Sequence, residues 1–268
     1  MDLSIVIPTF NSSRTISQCL SSVNSQTIPF KEVIVVDRYS TDRTGKVARE
    51  ANANVIQSES NRSVARNLGF ARSTSHGVIF IDSDMVLPNT LAEECLDGLQ
   101  HNDAIVIPEV SFGEGFWASC KRLERRTHNG IGLLEAARCF RRRAFDLIGG
   151  YDPDLEAGED WNLQYKATLR GLSIGRTVSR IMHDEGNMVL VTSLKKKYRY
   201  GKVIHRYLGS NLVRGIRQLN PVTRIASPAL RILPQDPIHG MGILVLKTLE
   251  FSAAGIGYTM GSIDEVRR

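Results

Sequence analysis

The sequence predicts an α/β protein with a doubly wound, mostly parallel sheet that has helices on both faces. Three apolar, β-branched runs without polar alternation are typical of buried parallel strands: LSIVIP from Leu3, EVIVVD from Glu32 and GVIFID from Gly77. A shorter run over residues 53–58, ANVIQS, predicts a fourth strand. Helical spacings separate the runs, so the predicted order is β-α-β-α-β-α-β with right-handed crossovers.

The helices between these strands are predicted from apolar residues at intervals of three and four. Polar residues that suit an N-cap precede each repeat. The cap candidates are Ser12 or Ser13 for the first helix, Asp42 for the second and Asn61 for the third. In the second half, DAIVIPEV predicts a strand, and RRRAFDLIGG predicts a short helix that ends at the pair Gly149–Gly150, which suits a left-handed C-cap.

The composition is that of a folded protein. The chain has 268 residues, of which 42% are hydrophobic and 23% charged, so it can bury a sizeable core and does not resemble a disordered protein. Four scattered cysteines form no CxxC pair, which argues against a zinc site or a disulfide framework. The chain also lacks a phosphate-loop motif and a nucleophile-elbow motif.

Polar residues end each of the three long strand runs. Ligands of doubly wound sheets bind outside the carboxyl ends of the strands, so these residues are expected to converge on one crevice, unless the polar ends are chance. Asp82 and Asp84 point to the same side of an extended chain. Two neighbouring carboxylates repel each other, and a divalent cation would neutralise both. The spacing therefore favours a site for Mg²⁺ or Mn²⁺.

Four segments resemble family 2 glycosyltransferases of the GT-A fold. They are SIVIPTFNSSRTISQCLSSVNSQ, EVIVVDRYSTDRT, RSVARNLGFARSTSHGVIFIDSDMVLP and LIGGYDPDLEAGEDWNLQYKATLRG. The resemblance runs in order from residue 3 to about residue 185. It implies an inverting, metal-dependent glycosyltransferase that uses a nucleoside-diphosphate-sugar donor.

The resemblance also implies donor-binding residues. Those that would contact the nucleoside are Pro8, Thr9, Asn11 and Asp37. Arg62 or Arg66 would contact the diphosphate, and Asp82 the ribose or the donor sugar. Asp84 would ligate Mg²⁺ or Mn²⁺, and His183 matches a histidine that approaches the metal.

Two residues depart from the family's pattern at the nucleoside. Arg38 stands where the family has a second aspartate, and Tyr39 stands where it has a small residue. The choice between a UDP-sugar and a GDP-sugar donor therefore stays open.

Asp160 matches the family's catalytic base. Displacing a nucleoside diphosphate from a sugar needs a deprotonated nucleophile, and a carboxylate near neutrality can take that proton. The alternative is that Glu159 and Asp160 only complement the dipole of the helix they begin. Glu159 and Trp161 are expected on the acceptor side. The three residues Arg141–Arg143 could bind an anionic acceptor or only face water.

The predicted domains follow this resemblance. A GT-A domain covers residues 1–190, with a nucleotide-binding half at 1–110 and an acceptor half at 111–190. A helical, basic and apolar extension covers 191–268. It is expected to associate with a membrane or with a second copy of the chain.

The extension begins with a basic interval. No acidic residue lies between Glu185 and Asp236, while ten lysines and arginines do. A solvated basic face is one interpretation, and an anionic membrane surface is the other. Nucleic acid is not expected, because the upstream motifs give it no role. The segment Met241–Gly261 carries Lys247 and Glu250, so it is expected to lie in the interface or in an oligomer contact instead of spanning a bilayer.

The sequence thus predicts a peripheral enzyme on the cytoplasmic face of the membrane. It would glycosylate a lipid-linked or polysaccharide acceptor. The alternatives are a non-catalytic nucleotide-sugar-binding protein and a sugar nucleotidyltransferase. A sugar nucleotidyltransferase would have a glycine-rich loop that contains a lysine after its first strand. The corresponding segment here, PTFNSSRT, has neither glycine nor lysine.

Overall fold

The computed structural model describes residues 1–128 and 130–266, which form two compact units. Unit 1 comprises Met1–Glu109, Glu135–Pro153 and Asp160–Asp184. Unit 2 comprises Val110–Leu134, Asp154–Glu159 and the chain from Glu185 onward. Both units are discontinuous in sequence, and the domain boundary at residue 190 stays a prediction.

The described residues contain ten strands, numbered in chain order. They are β1 (Leu3–Thr9), β2 (Glu32–Asp37), β3 (Asn54–Gln57), β4 (Gly77–Phe80), β5 (Met85–Val86), β6 (Ala104–Val106), β7 (Glu109–Glu114), β8 (Ala137–Arg141), β9 (Ile174–Arg176) and β10 (Ile181–Asn187).

Eleven α-helices and one π-helical turn, Val222–Ala226, complete the described elements. The α-helices are α1 (Ile16–Asn24), α2 (Thr44–Glu50), α3 (Arg62–Arg72), α4 (Leu91–His101), α5 (Gly115–His128), α6 (Arg142–Leu147), α7 (Glu159–Leu169), α8 (Leu190–Ser210), α9 (Leu212–Gln218), α10 (Ser227–Ile232) and α11 (Pro237–Val266).

A seven-stranded sheet forms the centre of unit 1, in the order β3-β2-β1-β4-β8-β6-β9. β1 runs parallel to β2 and β4, β2 runs parallel to β3, and β6 runs parallel to β9. Only β8 runs antiparallel to its neighbours, β4 and β6, within this sheet. The mostly parallel, doubly wound α/β fold is confirmed, as is the predicted alternation of strands and helices from β1 to β4.

Apolar side chains from both faces of the sheet form two separate cores in unit 1. Ile5 and Ile7 of β1 pack with Leu20 of α1 in one core. Val6, which points to the opposite face, packs with Phe70 of α3 in the other. The helices therefore cover both faces, as predicted. All four cysteines are buried free thiols.

The helix ends agree in part with the sequence. Asn61 caps α3, since its Oδ1 accepts a hydrogen bond of 3.0 Å from the Val64 amide. Gly149 and Gly150, with φ of 72° and 63°, end the α6 segment in the left-handed conformation that glycine tolerates.

Thr15 and Arg43 occupy the N-cap positions of α1 and α2, and neither forms a side-chain cap hydrogen bond. The predicted position is therefore wrong for α1. Asp42 stands one residue before the N-cap of α2, and its Oδ1 still accepts a hydrogen bond of 2.9 Å from the Thr44 amide, the first of that helix. Ser12 and Ser13 also bind the start of the second helix. Ser13 N donates to Asp42 Oδ2 over 3.0 Å, and Ser12 N donates to Thr44 Oγ1 over 2.7 Å.

Unit 2 contains a buried cluster of charged residues on α5, α8 and α11. Lys247 Nζ lies 3.0 Å from Glu124 Oε1 and 2.9 Å from Glu250 Oε2, and all three residues are buried. Ser193 on α8 donates to Glu250 Oε1 over 2.8 Å. Burial would raise the pKa of Glu250, but nearby lysine charges outweigh it and hold that pKa well below its usual range.

Helix α11 is the one described helix that is long and apolar enough, over Pro237–Asp264, to cross a membrane. Length and composition alone are weak evidence, since a core helix of a soluble protein has the same properties. The buried ion pairs of Lys247 and Glu250 show that one side of α11 packs inside unit 2.

Lys247 is expected to hold this cluster together. The Lys247→Met variant removes one of the cations beside the two buried carboxylates, whereas Lys121 Nζ remains 2.8 Å from Glu124 Oε2. The free energy of unfolding should therefore fall by about 1.5–3 kcal/mol, as expected for the loss of a hydrogen bond between charged groups. Urea denaturation followed by circular dichroism measures the change. The control is Thr248→Met, on the exposed side of the same turn. Equal stability of the Lys247→Met variant and the wild type would contradict the stabilising role of the cluster.

Candidate active site

The predicted crevice lies at the carboxyl edge of β1, β2 and β4 in unit 1. β1 runs parallel to both neighbours, and Thr9 stands in register with Asp37 at the strand ends. The segment after β4 brings Asp82 and Asp84 to the same edge. The sheet thus assembles the polar strand ends that the sequence predicted to converge.

Asp37 is held by four hydrogen bonds. Its Oδ1 accepts from Thr9 Oγ1 over 3.0 Å and from Ser40 Oγ. Its Oδ2 accepts from Gln57 Nε2 over 2.9 Å and from the Ser40 amide over 3.2 Å. A carboxylate offers about four acceptor positions, so these four hydrogen bonds saturate Asp37. A contact between Asp37 and a nucleoside stays a prediction.

The loops after β1 and β2 are tied to each other. Asn11, at φ 48°, accepts a hydrogen bond from the Thr41 amide over 2.9 Å and donates its own amide to Ser40 Oγ over 2.8 Å. Tyr39 has φ 50° and is 55% exposed. A non-glycine residue other than asparagine in this region is strained, and such strain clusters at ligand sites.

The two departures from the family's pattern lie on this edge. The Arg38 guanidinium stands 5.9 Å from the centroid of the exposed Phe10 ring. Pro8, half-buried, lies just before the end of β1. The nucleoside roles of Pro8, Thr9 and Asn11 stay predictions.

Arg66 joins two carboxylates that come from distant parts of the chain. Its side chain is fully buried. Nη2 lies 2.8 Å from Asp82 Oδ1, and Nη1 lies 2.8 Å from Asp160 Oδ1. The guanidinium also stacks 4.9 Å from the centroid of the Tyr151 ring. In this geometry Arg66 connects the predicted donor residue to the predicted base, and its contact with a diphosphate stays a prediction.

The close approach of α3 to β1 allows Arg66 to reach this position. A Cβ atom at Gly69, one turn after Arg66, would lie 2.3 Å from Val6 Cγ1. Glycine is therefore required there for the helix to lie against the sheet. Arg62, one turn before Arg66, is partly buried.

The charges around Asp82 decide its protonation state. Burial would raise the pKa of this carboxyl, but the positive charges of Arg66, Arg62 and Arg138 outweigh it. The pKa of Asp82 therefore lies well below its usual range, and the side chain is ionised at neutral pH.

A second chain of polar groups runs from Asp84 to Arg138. His183 Nε2 lies 3.2 Å from Asp84 Oδ2, and His183 Nδ1 lies 3.5 Å from Glu109 Oε2. Arg138 Nε donates to Glu109 Oε1 over 2.8 Å. The antiparallel pairing of β10 with β5, in which His183 stands opposite Met85, brings the histidine to Asp84. Sequence reasoning missed Glu109 and Arg138.

Asp84 and His183 fit a divalent metal. Asp84 Oδ1 is buried and accepts no hydrogen bond from the described residues. Mg²⁺ and Mn²⁺ sites often use one or two protein ligands and fill the remaining positions with water and substrate phosphates. The described residues contain no group of three or more candidate ligands. Glu109 stands where a carboxylate orients a metal-binding histidine.

Asp160 lies in the first turn of α7. Arg66 holds its Oδ1, whereas no hydrogen bond from the described residues reaches Oδ2, and the side chain is 27% exposed. One oxygen is thus fixed while the carboxylate stays accessible. Glu159 is buried and Trp161 is partly buried, and their acceptor-side roles stay predictions.

The three arginines of the α6 segment have different environments. Arg141 Nε donates to the Leu99 carbonyl over 2.6 Å, and Arg142 Nε donates to the Ser75 carbonyl over 2.7 Å. Both therefore hold the backbone of unit 1. The side chain of Arg143 is 73% exposed, with Nη2 3.6 Å from Asp103 Oδ1, so a role for it at an anionic acceptor stays a prediction.

A mostly parallel sheet with carboxyl side chains at its carboxyl edge defines a ligand-binding α/β protein. Residues 4–154, more than half of the chain, match the sequence model of Glycosyl transferase family 2. The chain therefore belongs to glycosyl transferase family 2.

Relatives and a solved structure agree with this assignment. The glycosyltransferase AglE of Haloferax volcanii is 36% identical over 91 residues, which cover 31% of this chain and 30% of AglE. The PGL/p-HBAD biosynthesis glycosyltransferase of Mycobacterium bovis is 28% identical over 192 residues, which cover 67% of this chain and 73% of the relative.

The fold matches that of Staphylococcus aureus TarS. The structure of TarS residues 1–349 in complex with UDP-GlcNAc aligns with a TM-score of 0.57 at 17% identity. The alignment covers 100% of this chain and 93% of that chain, and it confirms the GT-A type fold. The chain spans only 30–37% of the length of three curated relatives that it matches, one of which is AglE.

Replacing Arg66 should destabilise the protein in a pH-dependent way. The Arg66→Leu variant leaves Asp82 and Asp160 without their shared cation, so the free energy of unfolding should fall by about 3–5 kcal/mol at pH 7. The lowered pKa of Asp82 stabilises the fold above the unfolded-state pKa of about 3.9, and this contribution is lost as the pH falls. The difference from the wild type should therefore shrink below about pH 4.

Urea denaturation over a pH series tests this expectation. Arg72→Leu, an exposed arginine at the end of the same helix, is the control. A loss of stability that is independent of pH, or equal in both variants, would contradict the role given to Arg66.

Proposed function

We propose that this protein transfers a sugar from a UDP-sugar donor to a hydroxyl group of a polysaccharide or lipid-linked acceptor, with inversion at the anomeric carbon. The observation that carries the proposal is the bridge from Asp82 through Arg66 to Asp160. The bridge holds a carboxylate at the ligand-binding edge of the sheet and connects it to the segment that contains Asp84.

Asp160 acts as the general base in this proposal. Its carboxylate takes the proton of the acceptor hydroxyl as that oxygen attacks the anomeric carbon and the nucleoside diphosphate departs. Arg66 fixes one carboxylate oxygen, so the accessible side of Asp160 can meet the acceptor without rearrangement. This preorganisation supports a single displacement, which inverts the configuration.

A divalent cation takes part in the proposed reaction. Asp84 and His183 would hold it, and when bound it stabilises negative charge on the departing diphosphate. Glu109 and Arg138 would keep the His183 ring oriented. The buried Asp84 Oδ1, which has no hydrogen-bond partner among the described residues, supports this assignment.

The relatives support a UDP-sugar and a polymeric acceptor. S. aureus TarS, a poly(ribitol-phosphate) beta-N-acetylglucosaminyltransferase, is 30% identical over 118 residues. Its structure has been solved with UDP-GlcNAc and with UDP. We therefore favour uridine over guanosine, with Arg38 and Tyr39 beside the base in place of the family's usual residues.

The two alternative functions have less support. Membership of glycosyl transferase family 2 argues against a sugar nucleotidyltransferase. A non-catalytic nucleotide-sugar binder would not need an accessible carboxylate fixed by a buried arginine, so the environment of Asp160 argues against it.

The proposal includes a location on the inner face of the membrane. The acid-free interval between Glu185 and Asp236 supports it, because basic residues are attracted to anionic leaflets. A lipid-linked acceptor would be available at that surface.

Release of the nucleoside diphosphate, UDP or GDP, from a panel of UDP- and GDP-sugars, with Mn²⁺ and without it, tests the activity. We expect turnover of one UDP-sugar. In the Asp160→Asn variant, which cannot take a proton, the rate should fall by about 10²–10⁴-fold while UDP affinity changes little. Asp146→Asn, an exposed aspartate of α6, is the control. A loss under about tenfold for Asp160→Asn would remove Asp160 as the base.

The metal assignment predicts coupled binding of cation and nucleotide. Isothermal titration calorimetry should show that UDP binds the wild type more tightly with Mn²⁺ than with chelator, and that Asp84→Asn removes most of this difference. Asp97→Asn, an exposed residue of α4, should behave like the wild type. If chelator leaves UDP affinity unchanged in the wild type, the protein does not use Asp84 to bind a metal–nucleotide complex.

A further inference from the structure

A groove runs between α8 and α11 within unit 2. Its volume is about 620 Å³, in the range of ligand-binding sites. The apolar part of its lining includes Val191 and Leu194 from α8 and Ile256 from α11. Lys195 and Arg199, both exposed, line the same groove. The groove therefore combines an apolar surface with two positive charges.

The walls of this groove are held in place by close helix packing. A Cβ atom at Gly257 would lie 2.1 Å from the Tyr198 carbonyl oxygen, and one at Gly261 would lie 2.1 Å from the Lys202 carbonyl oxygen. The two helix backbones therefore touch. The salt bridge of 2.6 Å between Lys202 and Asp264 connects the same two helices further along. This rigid pairing makes the groove a preformed feature.

The two positive charges in the groove have no internal counter-ion. Lys195 and Arg199 are one helical turn apart on α8 and so project from one face. Neither side chain forms an ion pair within the part of the chain that the structure describes. By contrast, Lys202 and Lys247 are paired with acidic residues. Two positive side chains of the groove are therefore available to bind an anionic group.

An exposed apolar stripe continues from the groove along α11. Its large side chains recur every three or four residues, except for one gap of seven, and they are Ile238, Met241, Val245, Leu249, Ile256, Met260 and Ile263. From the helical rise per residue, the stripe is about 37 Å long. An exposed apolar surface of this extent marks a site of interaction with a membrane or another protein.

We propose that this groove binds an anionic phospholipid of a bilayer leaflet. Lys195 and Arg199 hold the phosphate, an acyl chain lies on Val191, Leu194 and Ile256, and the stripe on α11 lies in the interfacial region. Basic residues beside an apolar helix face are typical of helices that lie in the membrane plane. The inference rests on the proposed membrane location and not on the proposed sugar transfer.

Two features favour lipid over the other occupants. A second copy of the chain packed groove to groove would bury Lys195 and Arg199 in the interface, where the lining of the groove offers them no acidic partner. A spanning arrangement of α11 is opposed by Lys247, which is buried against Glu124 on the side away from the stripe. Only one face of α11 is thus available to lipid.

Flotation of the whole protein with vesicles tests the proposal. We expect binding to vesicles of phosphatidylcholine with phosphatidylglycerol, weakening as salt increases, and little binding to phosphatidylcholine alone. The double variant Lys195→Gln/Arg199→Gln should lose affinity by about 30-fold. Lys196→Gln/Arg217→Gln removes the same charge from exposed positions outside the groove, and it should lose clearly less.

A second variant separates the apolar contact from the charges. Ile256→Ser should weaken binding to anionic vesicles while leaving its salt dependence unchanged, because the basic residues remain. Equal losses for the two charge variants would overturn the groove as a site, as would equal binding to neutral vesicles. The lipid site would also be overturned if light scattering showed that the wild type forms dimers and that Ile256→Ser abolishes them. The absence of binding to any vesicle would overturn it as well.

Binding of UDP to the same variants in solution separates this inference from the proposed enzyme function. Groove variants that lose vesicle binding should retain the UDP affinity of the wild type. UDP binding without any lipid binding would overturn the lipid site and leave the proposed sugar transfer standing.

Discussion

The buried guanidinium of Arg66 is the interaction on which the candidate active site depends. Removing two carboxylates and an arginine from water is costly, and the cost is offset only when the charges are paired with good geometry. Each terminal nitrogen of Arg66 lies 2.8 Å from a different aspartate. A lysine, which presents a single point charge, could not reproduce this fork between Asp82 and Asp160.

Several local features of unit 1 serve to place that guanidinium. The Asn61 cap begins α3, Gly69 allows the helix to approach β1, and Tyr151 covers one face of the guanidinium. These features come from separate parts of the chain. They act together because the position of Arg66 is fixed only when the helix start, the helix–sheet distance and the stacking ring all agree.

The two sides of the sheet edge are organised in different ways. On the β1–β2 side, Asp37 is saturated by hydrogen bonds and holds the loop backbone. On the β4 side, Asp84 keeps a buried oxygen without a partner among the described residues, beside His183. Rigid loops suit recognition of a nucleoside, and an unsatisfied carboxylate oxygen suits a cation. The proposed contacts with the nucleoside and with the cation rest on these two arrangements.

The sequence predicted the features that depend on neighbouring residues. Apolar runs gave the parallel strands, Asn61 was recognised as a cap, and Gly149–Gly150 was recognised as a helix end. It could not reveal that β8 inserts antiparallel between β4 and β6, because strand pairing across the sheet is not encoded in local spacing. The bridge that Arg66 forms between Asp82 and Asp160 was missed for the same reason, since Asp160 lies 94 residues away from Arg66.

Distance along the chain also explains the other omissions. Glu109 and Arg138 act on His183 only after folding brings β7, β8 and β10 together, and their local sequences carry no motif. Lys247 looked like an obstacle to membrane insertion in the sequence. In the structure it is a structural cation between Glu124 and Glu250, which explains how a charged residue can occupy an apolar helix.

A crystal structure with UDP and Mn²⁺, with anomalous diffraction recorded to locate the manganese, tests the central claim most directly. The account predicts an anomalous peak in contact with Asp84, and Arg66 still bonded to both Asp82 and Asp160. A peak elsewhere, or an Arg66 side chain that has left the two aspartates for the diphosphate, would contradict it.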